Sequence, residues 1–154
     1  MVRLSQNFTI QEYIKSQTAL RQGIDNTPTE EHMGNATALF RNVVQKVRDQ
    51  FGVTVINSGY RGEALNKAVG GSSKSQHCKG EAVDIECPGT PNYDVAKWIE
   101  DNLDFGQLIL EFYTPGVPDS GWVHVSYKSE GNRKSVLTAM KEEGKTVYKT
   151  GLIQ

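Results

Sequence analysis

The chain lacks most of the features that would assign it to a class at a glance. It has two cysteines, Cys78 and Cys87, in 154 residues, too few for a disulfide scaffold. Two free thiols are expected. The alternatives are a Cys78–Cys87 bridge or direct metal binding through Cys78, the latter weakened by the adjacent His77. No apolar run approaches the roughly 20 residues that cross a bilayer, so membrane insertion is not expected. The N-terminal stretch MVRLSQNFTIQEYI carries Arg3 without a continuous apolar segment behind it and does not read as a secretion signal. The expectation is synthesis in a cytoplasm, with any action outside depending on release by another agent. An excess of one charge is missing too: 17 Lys plus Arg face 18 Asp plus Glu, for a net charge of −1. That balance gives no electrostatic reason to expect nucleic acid or an anionic membrane as partner.

What is present fits one domain over residues 1–154, with 37% hydrophobic residues for a modest core and 15 glycines for turns. Thr9 is placed to cap a short helix, with Phe8, Tyr13 and Ile14 packing inward. Thr27 or Thr29 caps a longer one. Glu30 and Glu31 suit its first turn, and Met33, Ala36, Leu39, Phe40, Val43, Val44 and Val47 recur at helical spacing until Gly52 ends it. VTVINSGYR reads as a strand and turn, and GEALNKAVGGSSKSQHCKG as a short helix followed by a Gly/Ser-rich loop. EAVDIEC alternates as a strand, with Ala82, Asp84 and Glu86 on one face and Val83 and Ile85 on the other. NYDVAKWIEDNLDFG is a further helix. QLILEFY and GWVHVSY are strands joined by the turn-rich TPGVPDS, and short strands are expected at 135–140 and 146–148. Helices with three to five strands make an α+β fold.

Only three histidines are available for chemistry. His32, among Glu30, Glu31 and Met33, reads as an exposed residue at a helix start. His77 lies in a polar loop where burial in an apolar core is not expected. His124 shares a strand face with Trp122 and Ser126, and is either a hydrogen-bonded core residue or a ligand. Asp84 sits inside an apolar strand, where a carboxylate is costly unless paired or bound to a cation. Its partner is Arg61, a lysine or a metal. Two histidines and an aspartate match the ligand set of a catalytic zinc with a fourth position open to water.

Three segments resemble a known family. SQHCKGEAVD, residues 75–84, looks like the Ser-x-His-x-x-Gly-x-Ala-x-Asp signature of the zinc D-Ala-D-Ala metallopeptidases. GWVHVS, residues 121–126, resembles their Trp-x-His element, and SGYR, residues 58–61, a third element ahead of both. The likeness is closest to compact domains of bacteriophages and bacteria, including cell-wall hydrolases, and spans about residues 4–139. It implies a Hedgehog/DD-peptidase-like fold, a small antiparallel sheet with helices packed on one side. It further implies that His77, Asp84 and His124 hold Zn2+. Arg61 would bind or polarise the substrate, Ser75 and Gly80 would shape the ligand loop, and Ser75, Gln76 and Trp122 would face the substrate.

Many members carry an acidic general base three positions before the last histidine, where this chain has Gly121. Glu111 is the first choice to replace it, because an acid closing an apolar strand needs a reason, and Asp119 is the second. The implied substrate is a peptidoglycan stem peptide or crosslink. The enzyme is expected as a monomer of endolysin or virion-associated type, released through a holin pore or carried by the virion. Alternatives are a cytoplasmic D-Ala-D-Ala dipeptidase or carboxypeptidase, and a non-catalytic phage structural or wall-binding protein that keeps the fold.

Overall fold

Local capping and alternation signals set the order of elements. A computed structural model describes residues 3–71, 75–117 and 119–153. Residues 72–74 of the expected Gly/Ser-rich loop and Pro118 of the expected turn lie outside them. Strands β1 (Arg3–Ser5) and β2 (Phe8–Thr9) form a short antiparallel pair. Thr9 caps α1 (Ile10–Ile14) reciprocally with Glu12, each side chain taking the other's backbone amide. Helix α2 (Gln17–Gln22) follows, capped by Ser16.

Thr29 caps the long helix by accepting the His32 amide, while the Thr27 hydroxyl is committed to Asp25. Helix α3 (Glu30–Leu39) continues through a π-helical turn, Phe40–Val44, into α4 (Gln45–Phe51), which ends at Gly52 with φ +85°. Next come β3 (Val55–Ser58), α5 (Glu63–Ala68), a 3-10 turn at Gln76–Lys79, β4 (Ala82–Glu86) and α6 (Asn92–Asn102). Strands β5 (Gln107–Glu111), β6 (Trp122–Ser126), β7 (Ser135–Glu142) and β8 (Lys145–Thr150) complete the described chain.

The main sheet has six strands in the order β3-β4-β6-β5-β7-β8, one more than the upper expectation. The expected antiparallel pattern needs one correction: β5 and β7 run parallel, from Gln107↔Ser135 to Glu111↔Ala139. Strand β6 occupies one edge of β5, so the chain leaving β6 can join only the other. The Lys134 and Ser135 amides donate to the Phe105 and Gly106 carbonyls, which starts β7 beside the start of β5.

Strand alternation then divides the sheet into two faces. Val83, Ile85, Leu108, Leu110, Val123 and Val125 join Leu39, Phe40 and Val43 of the long helix and Val95 and Ile99 of α6 in one apolar cluster. The opposite face carries Asp84, His124, Ile109 and Glu111. Phe40 knits the core by meeting Phe8 and Tyr13 edge-on at 5.3 and 5.1 Å. The buried Tyr13 hydroxyl donates to the Ala82 carbonyl at 2.8 Å, tying α1 to β4.

Phe40 is fully buried. Truncating it leaves a void that its aromatic neighbours cannot close, so Phe40→Ala is expected to cost about 3–5 kcal/mol. Urea unfolding followed by circular dichroism measures this; a loss within the noise of a surface substitution contradicts the packing described.

Candidate metal centre

The register of the sheet brings the three expected ligands together. Asp84 lies opposite His124, and His124 opposite Ile109, along one row across β4, β6 and β5. His77 comes from the 3-10 turn that leads into β4. Its Nε2 lies 3.4 Å from Asp84 Oδ1, and His124 Nδ1 lies 3.0 Å from the same oxygen. One ligand atom from each of the three falls within 4.8 Å of the others.

Chemistry of the donors tests whether a zinc ion fits. His77 Nδ1 lies 2.7 Å from the Gly59 carbonyl, which can only accept, so Nδ1 carries the proton. In the neutral ring Nε2 then presents a lone pair toward the Asp84 carboxylate, and two acceptors face each other at 3.4 Å. A cation resolves that opposition. Two donors about 2.0–2.1 Å from a tetrahedral zinc stand roughly 3.3 Å apart, close to the spacings seen here. Burial acts to raise the Asp84 pKa, but His124 and then His77, both close to its Oδ1, outweigh it and hold the carboxyl well below the usual range. Asp84 is therefore an anionic ligand at neutral pH, and the residues present fit zinc.

The loops around the centre are fixed by contacts that local sequence patterns do not reveal. Gly59 passes so close to Tyr13 that an added Cβ would lie 2.1 Å from the Tyr13 carbonyl oxygen. Asn26 donates to the Ile14 and Tyr60 carbonyls and accepts the Gly62 amide, bracketing Arg61 on both sides. Arg61 reaches the cleft with its Nε buried and without a hydrogen-bond partner among the described residues. The Ser75 hydroxyl accepts the His77 amide and so caps the ligand turn, while Gln76 Oε1 lies 3.1 Å from His124 Nε2. Gly80, at φ +74°, passes against the His32 carbonyl. His32 itself is half-buried, with Nδ1 2.9 Å from the Tyr60 hydroxyl. Both cysteines are free, and burial pushes both thiols up, away from thiolate chemistry.

The centre opens into a cleft of about 590 Å³ whose walls include Arg61, Ser75, Gln76, Glu111 and Trp122. Gln107, Ile109, Arg133 and Tyr148 also line it, and none of these was singled out from the sequence. The alternation of β5 places Gln107 and Ile109 on the same face as Glu111. The reach of Arg133 and Tyr148 depends on the pairing of β7. Glu111 lies opposite Trp122 in the β5–β6 ladder and accepts a hydrogen bond from its indole. Burial, then the charge of Asp84, pushes its pKa up against the opposing pull of His124, Trp122 and Arg61. Asp119 lies elsewhere, in a separate hollow with Asn57 and Glu86. Asn92 at the start of α6 donates to the Ser120 and Gly121 carbonyls and draws that loop away from the cleft.

A sequence model of the Peptidase M15 family matches residues 6–126, which contain all three ligands and both Arg61 and Glu111. No curated protein matches the chain.

The geometry at Gly121 accounts for the missing acid there. Gly121 adopts φ +67°, and a Cβ would meet the Glu111 carbonyl oxygen at 2.0 Å and Phe112 C at 2.7 Å. No side chain fits there, and the carboxylate that does line the cleft nearby is that of Glu111 on the paired strand. Gly121→Asp is therefore expected to destabilise by more than about 1–3 kcal/mol and to restore no function. Thermal unfolding beside an activity assay checks this; a stable variant with higher activity contradicts it.

Proposed function

The chain belongs to the Peptidase M15 family, and from that premise we propose that it is a wall-lytic enzyme of bacteriophage type. At the coarser level it is a zinc-dependent metallopeptidase acting on peptidoglycan-related substrates. The observation that carries the reading is the convergence of His77, Asp84 and His124 in a cleft that also holds an acid and an arginine.

His77, Asp84 and His124 would hold a zinc ion, which when bound would supply Lewis-acid polarisation of the amide carbonyl and lower the pKa of water toward about 7. Glu111 accepts the proton from the attacking water and passes it to the leaving amine. The Trp122 indole holds the carboxylate in place. Arg61, whose Nε has no hydrogen-bond partner among the described residues, binds a substrate carboxylate or the developing oxyanion. Gln76 holds the His124 ring against rotation, and Trp122 walls the substrate path. A cleft running across an open sheet face suits a peptide that is part of a larger polymer better than it suits a free dipeptide.

The likeness of its motifs to compact phage domains supports synthesis in a cytoplasm followed by delivery to the wall, through a holin pore or within the virion. Action as a monomer accords with a cleft whose ligands, acid and arginine all come from one chain.

Mass spectrometry of purified peptidoglycan digested with zinc-loaded protein tests the activity. New fragments that disappear on chelation are expected, and their masses name the bond. Glu111→Gln is expected to keep its zinc and lose about 100-fold or more in turnover. Intact sacculi after digestion by protein carrying one zinc would overturn the reading. An active Glu111→Gln protein would remove Glu111 from the mechanism.

A further inference from the structure

Beyond the matched segment 6–126, the chain still builds one end of the cleft. Arg133 reaches it from the loop before β7, and Tyr148 from β8. Sheet order sets these residues across the metal ligands from Arg61, which follows β3. Four strand spacings separate β3 from β7, about 19 Å at backbone level. An extended peptide spans that distance with roughly five or six residues.

The backbone at Arg133 is held on both sides. The Asn132 carboxamide accepts the Lys128 amide at 2.9 Å and donates to the Lys128 carbonyl at 2.7 Å. On the other side the Lys134 amide donates to the Phe105 carbonyl at 3.0 Å, and Lys134 adopts φ +50°. A non-glycine residue keeps such a conformation only where its surroundings enforce it. The Arg133 side chain, by contrast, is exposed and belongs to none of the ion pairs among the described residues. A tethered backbone thus presents an uncommitted guanidinium to the cleft.

Charge in the cleft points the same way. Arg61 and Arg133 offset Asp84 and Glu111, so a divalent zinc leaves the cleft at +2 within a chain of net charge −1. Such a site draws anionic substrate and favours two carboxylates over one. Guanidinium binds carboxylate through two parallel hydrogen bonds, which discriminates sharply against a neutral carboxamide.

We propose that Arg133 is a specificity residue that binds a substrate carboxylate on the far side of the scissile bond from Arg61. The enzyme then favours stem peptides carrying a free carboxylate at that point over their amidated forms. This rests on the peptidase reading above.

The probes are a synthetic stem tetrapeptide, L-Ala-γ-D-Glu-L-Lys-D-Ala, with the D-Glu α-carboxylate free, and the same peptide with that group as carboxamide. Binding is measured by calorimetry to zinc-loaded Glu111→Gln protein, alone and combined with Arg133→Gln or Lys134→Gln. Turnover is measured in the otherwise unchanged enzyme. The free carboxylate is expected to bind about tenfold more tightly than the carboxamide. Arg133→Gln should erase that preference, raise KM with kcat held, and leave carboxamide binding unchanged; Lys134→Gln should change none of these. Cleavage of both peptides with the preference intact in Arg133→Gln overturns this assignment alone. An equal effect from Lys134→Gln also overturns it, by showing long-range charge instead of a contact. Neither binding nor cleavage of either peptide, by protein that holds zinc, overturns both this assignment and the peptidase reading for stem peptides.

Discussion

A carboxylate in the middle of an apolar strand is the constraint on which the rest of the structure depends. Asp84 is flanked in sequence by Val83 and Ile85, which face the core, and it sits between β3 and β6 in the sheet. A charge so placed is costly unless cationic or hydrogen-bonding groups surround it. Two imidazoles approach one of its oxygens from different elements, and they hold its pKa down despite its burial. The lone pair of His77 facing that oxygen makes an acceptor pair that a bound cation completes. The fold thus spends some stability on a preformed set of donors, and metal binding returns it.

Around that carboxylate, precision comes from backbone contacts more than from side-chain ion pairs. The Gly59 carbonyl sets the tautomer of His77, and it can do so because Gly59 packs against Tyr13, a residue of the core. Asn26 joins α1's end to both sides of Arg61. These links carry the rigidity of the helix-covered face into the loops of the open face. Such outer partners orient metal ligands and tune their basicity. The carboxylate of Glu111 follows the same pattern, fixed by the indole of Trp122 from the neighbouring strand.

Much of this was legible in the sequence, for reasons that can be named. Alternation in β4 and β6 set Asp84 and His124 on the faces opposite their apolar neighbours, and the period of the long helix marked its buried side from Met33 to Val47. Thr9 and Gly52 stand where capping chemistry puts them. Long-range pairing was not legible. The parallel join of β5 to β7 depends on which edge β6 leaves open, and no local period encodes that. For the same reason Arg133 and Tyr148 escaped notice, since they reach the cleft only through that pairing. Asp119 was considered for its nearness in sequence to His124, and it lines another hollow, beside the loop whose Ser120 carbonyl Asn92 holds. The choice of Glu111 rested on the oddity of an acid ending an apolar strand, and its register opposite Trp122 gives that oddity a place in the cleft.

Metal content tests the central claim most directly. Zinc per chain, with affinity measured by competition against a chromophoric chelator, should be determined for the parent protein and for His77→Ala, Asp84→Asn and His124→Ala. The account predicts one tightly held zinc in the parent and its loss from each of the three variants, with their folds intact by circular dichroism. A variant that stays folded and still holds one zinc with parental affinity would contradict the assignment of that residue, and with it the geometry on which the cleft's chemistry rests.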